Sequence, residues 1–422
     1  MMKVLWFANT PCGATEYLTG NKVTGGGWLY ALSEALSSHS EIELHIAFYW
    51  HCELDSFIYE GITYHPIFRE GLDSKLGRYL YRLKQQYSSN VDVSEIDRIE
   101  DVVKVSMPDL IHFHGSEENF GLVAERIDNI PMLLSIQGLI SPYYYKLYSG
   151  YDRTKIFRYQ SFMAKIFKDG FGAQEKCMYK RSIRERKMLK LIDNIIGRTA
   201  WDRDCSLALS PHRTYFVCNE ILRKPFFQTQ WKKKNIDGKI VFVSTISFGI
   251  YKGLEVIYHT SKILKEQNVD FEWYVVGISL TDQMAKVTKC ITGINPVSVN
   301  IHLVGRKNAN EIIDIFNKSH IFIQTSHIEN SPNSLCEAML VGMPIIASFA
   351  GGTNSMLENG KEGILIQDGD PYRLAGAILY MFQNYDKAVE MGQVARSRAT
   401  VRHNPDNVVN ELLGIYRVLC RK

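Results

Sequence analysis

The stretch that decides the fold is Ser326–Gly342, which reads S-H-I-E-N-S-P-N-S-L-C-E-A-M-L-V-G. Runs of β-branched and other apolar residues lie directly before and after it, at 320–325 and 344–348, and such runs are typical of buried parallel strands. Between these strands we expect a loop closed by Pro332 and a helix with Asn333 as its N-cap. This succession of strand, loop, helix and strand predicts an open parallel sheet, in which ligands bind at the carboxyl ends of the strands.

Two glutamates in this stretch flank the predicted ligand position. Glu329 lies in the loop and Glu337 lies inside the helix, which opens with Asn333, Ser334 and Leu335. The first free N–H groups of such a helix favour an anion such as phosphate. Carboxylates repel phosphate but accept strongly from hydroxyl groups, so a ligand with a phosphate between vicinal hydroxyls fits this arrangement. A nucleotide sugar has that layout.

The pattern of these residues resembles the signature of a known enzyme family. Glu329 and Glu337 have seven residues between them, including S-P-N-S, and G-M-P-I-I-A follows, as in the retaining glycosyltransferases of family 4. The resemblance implies the GT-B fold, an α/β fold with two doubly wound Rossmann-like domains facing a cleft and a C-terminal helix returning to the first domain. It also implies that Glu329 contacts the transferred sugar and Glu337 holds the ribose hydroxyls. Asn333, Ser334 and Leu335 are then donor-binding residues.

The resemblance assigns roles outside this stretch as well. In the run D-L-I-H-F-H at 109–114, the second histidine of the family reaches the donor sugar, and His114 inherits that role. Without the resemblance, these histidines are core residues or a metal site that lacks a third ligand. Gly26 and Gly27 correspond to a loop bordering the donor and acceptor cleft, although a plain flexible turn has the same composition. Gln137 stands where many relatives carry histidine, and it cannot act as a base.

A lysine follows the next predicted strand, at 240–244. Lys252 stands at a helix start, where its charge is well placed to neutralise a diphosphate leaving group. The family usually has an arginine five residues before this lysine, and here Ser247 occupies that position. Ser247 stays among the predicted donor-binding residues, and Arg306 or Arg198 is the candidate for the missing positive charge.

Bulk properties narrow the class of protein. The chain has 422 residues, which predicts two or three domains, and its 45% hydrophobic and 22% charged content is that of an ordinary soluble globular protein. The formal net charge of +4 is too small to indicate a nucleic-acid partner. We expect no membrane-spanning segment and no signal peptide. The eight cysteines are scattered without a Cys-x-x-Cys pair, which favours a reducing cytoplasm over a zinc protein.

Composition and the resemblance together predict the domain organisation. Residues 1–222 are expected to form an N-terminal Rossmann-like acceptor-binding domain, and 239–400 a C-terminal Rossmann-like domain that binds the nucleotide sugar. Proline, glycine and charge cluster at 223–238, which predicts a linker. Residues 401–422 are the helix that packs back on the N-terminal domain in this fold.

The segment 153–190 is basic and carries apolar residues at helical spacing. A basic amphipathic helix can lie on an anionic membrane surface or receive a phosphorylated lipid acceptor. A core-facing helix with a solvated basic face has the same pattern. Both interpretations stay open.

The resemblance implies a hexosyltransferase that moves a sugar from a UDP- or GDP-linked donor to a glycan or lipid-linked saccharide acceptor, in bacterial capsule, exopolysaccharide or O-antigen biosynthesis. We expect no cofactor and no metal, because Lys252 and the helix dipole can replace Mg²⁺ and no Asp-x-Asp element stands at a strand end. The expected location is cytoplasmic, including the inner face of the cytoplasmic membrane. The alternatives are a non-catalytic nucleotide-sugar-binding protein and a GT-B sugar-nucleotide epimerase.

Overall fold

The computed structural model describes residues 1–20, 27–71, 74–87, 92–236 and 238–421. They form two compact units. The first unit comprises Met1–Tyr144, Met163–Ile221 and His403–Lys422, and the second comprises Tyr145–Phe162 and Leu222–Arg402. Within the described ranges, no helix is long and apolar enough to cross a membrane.

The strands of both units follow the apolar runs of the sequence. In the first unit they are β1 (Met2–Ala8), β2 (Ile42–Trp50), β3 (Phe57–Tyr59), β4 (Ile62–Phe68), β5 (Leu110–His114), β6 (Met132–Ser135), β7 (Asn194–Gly197) and β8 (Thr214–Val217). In the second unit they are β9 (Ile240–Thr245), β10 (Phe271–Val276), β11 (Ile301–Gly305), β12 (Ile321–Gln324), β13 (Ile345–Ser348) and β14 (Ile364–Ile366).

Helices alternate with these strands. They are α1 (Ala14–Thr19), α2 (Gly27–Ser37), α3 (Lys75–Tyr87), α4 (Val93–Ser106), α5 (Ile140–Lys146), α6 (Arg153–Tyr159), α7 (Phe162–Ile166), α8 (Phe171–Leu191), α9 (Ala200–Leu209), α10 (Lys224–Gln228), α11 (Leu254–Glu266), α12 (Gln283–Thr292), α13 (Ala309–Lys318), α14 (Asn333–Val341), α15 (Thr353–Met356), α16 (Pro371–Gln383), α17 (Tyr385–Arg402) and α18 (Pro405–Cys420).

The first unit is built on a sheet of order β3-β4-β2-β1-β5-β6-β7-β8. Its strand pairs are parallel except β3 with β4. Alternate side chains of β1 enter two cores, with Val4 and Trp6 on the face covered by α2 and α18, and Leu5 and Phe7 on the face covered by α4 and α8. The strand order reverses between β1 and β5, so the carboxyl ends of these two strands form the switch point of this sheet.

Helix α18 completes the core of the first unit. It packs against α2 and β5, and its Val408, Leu412 and Tyr416 are buried there. Trp6 Nε1 donates to Tyr416 Oη over 2.9 Å, and Tyr416 Oη lies 2.7 Å from His112 Nδ1. A buried hydrogen-bond network therefore ties α18 to β1 and β5.

The second unit has a fully parallel sheet of order β11-β10-β9-β12-β13-β14. The order reverses between β9 and β12, which places the switch point at the carboxyl ends of these two strands. The loops at 246–253 and 325–332 leave the sheet there. Helix α14 follows the second loop and is buried from Leu335 to Val341.

The basic segment 153–190 does not form one continuous helix. Three helices, α6, α7 and α8, occupy it, with breaks at 160–161 and 167–170. Lys168 has a φ of +53° in the second break, a conformation that an α-helix cannot contain. Residues 145–162 belong to the second unit, where α6 packs on α12.

Two further predictions need correction. Residues from the predicted linker 223–238 form part of the second unit, with Phe226 and Trp231 fully buried because their rings pack into its core; Asp237 lies outside the described residues. Helix α14 begins at Asn333, so Pro332 holds the N-cap position and no side chain caps the helix.

Candidate functional site

An ion pair stands at the switch point of the second unit. Lys252 Nζ lies 2.6 Å from Glu329 Oε1, and the two side chains are only 16% and 8% exposed. Ser326 Oγ donates to the same carboxylate oxygen over 2.7 Å. Burial is the largest influence on the pKa of Lys252 and lowers it, but the charges of Glu329 and Tyr251 and the hydrogen bond to Glu329 together raise it, and the net shift is upward. Lys252 therefore keeps its positive charge in this buried position.

The two loops that carry this ion pair are fastened to each other. Thr325 Oγ1 donates to the carbonyl oxygens of Lys252 and Gly253 over 3.2 and 3.0 Å, and His327 N donates to Tyr251 O over 2.8 Å. Gly253 has a φ of +74°, and a Cβ there would lie 2.0 Å from Thr325 O. Only glycine permits this approach, so the position of Lys252 depends on the residue that follows it.

A third loop, after β13, closes on Glu329. Gly352 N donates to Glu329 O over 2.8 Å. Gly351 has a φ of +54°, and a Cβ there would lie 2.0 Å from the same carbonyl oxygen. The Gly351-Gly352 turn thus fixes the backbone of Glu329, and the amide of Gly352 is already used for that purpose.

Glu337 forms the second ion pair of the site. Its Oε1 and Oε2 accept from Nε and Nη2 of Arg223 over 2.7 and 2.8 Å, in a bidentate arrangement. Burial raises the pKa of Glu337, and Arg223 offsets this only in part. Each carboxylate oxygen keeps a second lone pair, so Glu337 can still accept from a ligand hydroxyl. Sequence reasoning missed Arg223, which lies 114 residues from its partner in the predicted linker.

The start of α14 offers two free amides. Leu335 N and Cys336 N both donate to Pro332 O, over 3.0 and 3.1 Å. Among the described residues, no backbone acceptor takes the N–H of Asn333 or Ser334, and both residues are half-buried. An anion can therefore be held by Asn333 and Ser334. Leu335 differs from its prediction because its N–H is used inside the first turn and its side chain is in the core.

His327 is another residue that sequence reasoning missed. Its Nε2 lies 2.6 Å from Glu255 Oε1 and its Nδ1 lies 3.3 Å from Asp368 Oδ2. Burial lowers the pKa of His327, but the hydrogen bonds and charges of Glu255 and Asp368 outweigh it and raise the pKa above 6.5. His327 thus joins the start of α11 to the loop after β14.

In the first unit, the two histidines at the end of β5 differ. His112 is paired with Tyr416 and, over 2.7 Å, with Ser135 Oγ, and burial lowers its pKa to about 3. Both ring nitrogens of His114 are buried and have no hydrogen-bond partner among the described residues. Burial lowers the pKa of His114, and His112 and Arg198 add to this. His114 therefore offers a neutral imidazole, whereas His112 is a core residue.

The remaining predicted residues are distributed over both units. Arg198 is buried in the first unit, where it pairs with Glu220 at 3.2 Å and lies 4.3 Å from the ring centre of Trp28. Gly27 opens α2, and Gly26 lies outside the described residues. Ser247 and Arg306 are exposed residues at the ends of β9 and β11.

The ion pairs and the free amides lie within a known type of domain. Residues 226–398 match the family model described as glycosyl transferases group 1. The match includes Lys252, Glu329 and Glu337, whereas Arg223 lies just before it.

Curated relatives carry names from bacterial polysaccharide biosynthesis. The chain is 29% identical over 170 residues to the amylovoran biosynthesis glycosyltransferase AmsK of Erwinia amylovora, covering 39% of this chain and 41% of that protein. It is 24% identical over 240 residues to the D-rhamnosyltransferase WbpZ of Pseudomonas aeruginosa, covering 51% and 60%. These alignments thus span 41% to 60% of the relatives' length.

Solved structures resemble nearly the whole chain. Sucrose-phosphate synthase from Thermosynechococcus elongatus matches with a TM-score of 0.71 at 14% identity and covers 99% of both chains. HepE of Anabaena, in complex with UDP and glucose, matches with a TM-score of 0.65 at 13% identity and covers 99% of this chain and 100% of that chain. At such identities the likeness shows the fold alone. The fold is GT-B, as predicted.

Proposed function

We propose that the protein is a retaining glycosyltransferase, specifically a hexosyltransferase, that moves a sugar from a nucleoside diphosphate sugar to an acceptor hydroxyl. The observation that carries this proposal is the buried pair of Lys252 and Glu329 beside the free amides of α14. It combines a cation and N–H donors for a diphosphate with a carboxylate for sugar hydroxyls. The group 1 domain and the UDP bound by the structural neighbour HepE support the same donor class.

The barrier of this reaction lies in breaking the bond between the anomeric carbon and the diphosphate oxygen. In the proposed mechanism, Lys252 exchanges Glu329 for the leaving phosphate and, with the amides of Asn333 and Ser334, stabilises its developing charge. Glu329, released from the lysine, accepts from a hydroxyl of the sugar. The acceptor oxygen forms the new bond on the face that the diphosphate leaves, and its proton passes to the departing phosphate oxygen. The configuration is retained.

Other groups have proposed supporting roles. Glu337 holds the ribose hydroxyls and Arg223 fixes its carboxylate. His114 contacts the donor sugar, since its neutral ring has two unused nitrogens among the described residues. The proposal contains no metal, because Lys252 and the helix supply the positive charge. By analogy with the names of the relatives, the product belongs to a bacterial surface polysaccharide made at the cytoplasmic side of the membrane.

A first experiment identifies the donor. The thermal midpoint is measured with UDP, GDP, ADP and their common sugar conjugates, with and without EDTA. A ligand that binds only the folded state raises the midpoint, so we expect a shift with one diphosphate that EDTA does not remove. A shift that EDTA abolishes contradicts the metal-free mechanism, and the lack of any shift contradicts donor binding.

A second experiment separates the roles of the two glutamates. With the diphosphate and donor so identified, Glu329→Ala should abolish sugar transfer and leave diphosphate binding nearly intact, whereas Glu337→Ala should weaken both. Glu390→Ala, an exposed glutamate on α17, is the control and should change neither. Equal loss of diphosphate binding in the Glu329 and Glu337 variants contradicts the assignment. Binding without transfer in the unmodified protein, tested against acceptor candidates, supports a non-catalytic nucleotide-sugar-binding protein instead.

A further inference from the structure

The first unit contains a cavity of about 1040 Å³ that the proposed reaction does not use. Helices α3, α4 and α8 contribute most of its lining, which includes seven basic and three acidic side chains together with several apolar ones. Its volume is at the upper end of the range of about 300 to 1,000 Å³ that is usual for ligand pockets. The excess of basic residues favours an anionic occupant.

Three arginines at different depths form one end of the cavity: Arg69 is buried, and Arg98 and Arg184 are half-buried. Their Nε atoms are buried and have no acceptor among the described residues. Arg69 Nη2 pairs with Glu95 at 3.0 Å and with Glu118 at 2.7 Å, and Arg184 Nη1 donates to Asn119 over 2.7 Å. A buried donor without an acceptor costs free energy, and the charge of an anion close to these guanidinium groups would offset part of that cost.

A fourth arginine, Arg181, also lines this cavity. It lies on α8, is exposed, and no side-chain hydrogen bond or ion pair joins it to another described residue. Burial lowers the pKa of the neighbouring Arg184. Together these arginines make an anion-binding end with guanidinium groups suited to phosphate oxygens.

The other side of the cavity is apolar and open to water. Leu76 and Leu80 on α3 are 67% and 54% exposed, and Tyr179 and Ile183 on α8 are 49% and 45% exposed. Each pair is four residues apart, so both members lie on one face of their helix, and all four line the cavity. Exposed apolar groups gathered in this way mark a binding surface rather than ordinary surface.

We propose that this cavity binds a single phosphate-headed lipid, with the phosphate on Arg98, Arg181 and Arg184 and the start of the hydrocarbon chain between the apolar pairs of α3 and α8. A simple anion would leave the apolar side unused, and a flat membrane surface would not reach the half-buried guanidinium groups of Arg98 and Arg184. The identification of this lipid as the carrier of the acceptor rests on the proposed function. The binding itself does not.

The test measures lipid binding directly. Farnesyl phosphate in neutral detergent micelles, vesicles of phosphatidylglycerol, farnesol and inorganic phosphate are titrated against the full-length protein. We expect saturable binding of a phosphate-headed lipid, and binding of farnesol and of inorganic phosphate at least about tenfold weaker, since each offers only half of the contacts. Binding in micelles supports a site for a single lipid, whereas binding confined to vesicles contradicts that site and indicates attachment to a bilayer surface. Equal binding of farnesol and farnesyl phosphate overturns the proposal.

Matched variants locate the binding. Arg98→Gln combined with Arg181→Gln should weaken the lipid about tenfold or more, and Leu80→Asn combined with Ile183→Asn should weaken it without changing the response to inorganic phosphate. Lys190→Gln removes the same charge from an exposed position of α8 outside the cavity, and it should have no effect. Unchanged lipid affinity in both double variants, with thermal midpoints like the unmodified protein, overturns the site.

A separate readout keeps the two proposals apart. Each cavity variant should keep the thermal shift given by the donor diphosphate, because Lys252 and Glu337 lie in the second unit. A retained donor shift with no lipid binding in the unmodified protein overturns this inference and leaves the proposed transferase standing. Lipid binding without any thermal shift from a donor diphosphate supports the lipid site and contradicts the proposed transferase.

Discussion

Arg223 and Glu337 meet through two parallel hydrogen bonds of 2.7 and 2.8 Å, although 114 residues separate them in the chain. The carboxylate is 5% exposed and the guanidinium 25%. The pair thus joins the segment before α10 to the interior of α14. Its consequences for stability and for the charge of Glu337 can be measured.

Replacing Arg223 should destabilise the protein, because the buried carboxylate of Glu337 then lacks its cation. Arg223→Gln leaves Glu337 without its cation and should lower the free energy of unfolding by roughly 3 kcal/mol, as measured by urea denaturation at pH 7. Because burial already raises the pKa of Glu337, the loss should be smaller at pH 5 than at pH 7. The exposed pair of Lys233 and Asp386 provides the control, since Lys233→Gln should cost less than about 1 kcal/mol. Equal losses in the two variants would contradict the role given to Arg223.

His327 should make stability depend on pH. Glu255 and Asp368 raise its folded-state pKa above 6.5 against the effect of burial, and Lys146 lies 3.9 Å from Asp368. A raised pKa contributes stability that is complete below pH 6.5 and is lost as the pH rises through the folded-state value. The free energy of unfolding of the unmodified protein should therefore fall as the pH rises above 6.5, relative to His327→Gln, whose profile should be flatter. Parallel profiles would rule this out.

Gly253 should tolerate no side chain. Gly253→Ala combines a φ of +74° with a Cβ 2.0 Å from Thr325 O, so it should destabilise the protein by well over about 1 kcal/mol and weaken donor binding through Lys252. Gly293 has a similar φ of +69° with nothing within 4 Å of its Cβ. Gly293→Ala therefore measures the backbone strain alone. If the two variants lose the same free energy in urea denaturation, the contact with Thr325 is unimportant.

Tyr416 should hold α18 through its hydroxyl group. In the unmodified protein, Trp6 Nε1 and His112 Nδ1 lie 2.9 and 2.7 Å from the Tyr416 hydroxyl oxygen. Tyr416→Phe removes this oxygen and leaves both buried nitrogens without that partner. The expected cost is about 2 kcal/mol in the free energy of unfolding. Tyr372 is 76% exposed, so Tyr372→Phe removes the same oxygen and should cost nothing measurable. A loss below about 0.5 kcal/mol in Tyr416→Phe would show that the network is not stabilising.

Much of the fold follows from the sequence, because parallel strands buried on both faces are continuous apolar runs. The runs at 240–244, 320–325 and 344–348 predicted β9, β12 and β13 to within two residues. The short strands β3 and β8 were missed because they lie at the edges of the sheet and are only partly buried, which leaves a weak pattern. The spacing of apolar residues in 153–190 was compatible with one helix, and nothing in it marked the breaks.

The residues of the candidate site also fall into two groups, those that a local sequence pattern indicates and those that it does not. Glu329, Glu337 and Lys252 stand in local patterns that a sequence displays, and their roles remain predictions. Arg223 and His327 carry no local signal, since their partners come from distant segments: 114 residues separate Arg223 from Glu337 and 72 separate His327 from Glu255. The charge and proline around Arg223 indicated a linker, and only the packing of Phe226 and Trp231 in the core shows otherwise.

The return of α18 to the first unit also sets an order for folding during synthesis. The second unit consists of 145–162 and 222–402, whereas the first needs 403–421 as well. Translation runs from the N-terminus and domains generally fold as units. A ribosome therefore releases the residues that seal the first core only after the whole second unit has been made. Until then the apolar side chains of α2 and β1 that face Leu412 and Tyr416 stay open to water or to a chaperone.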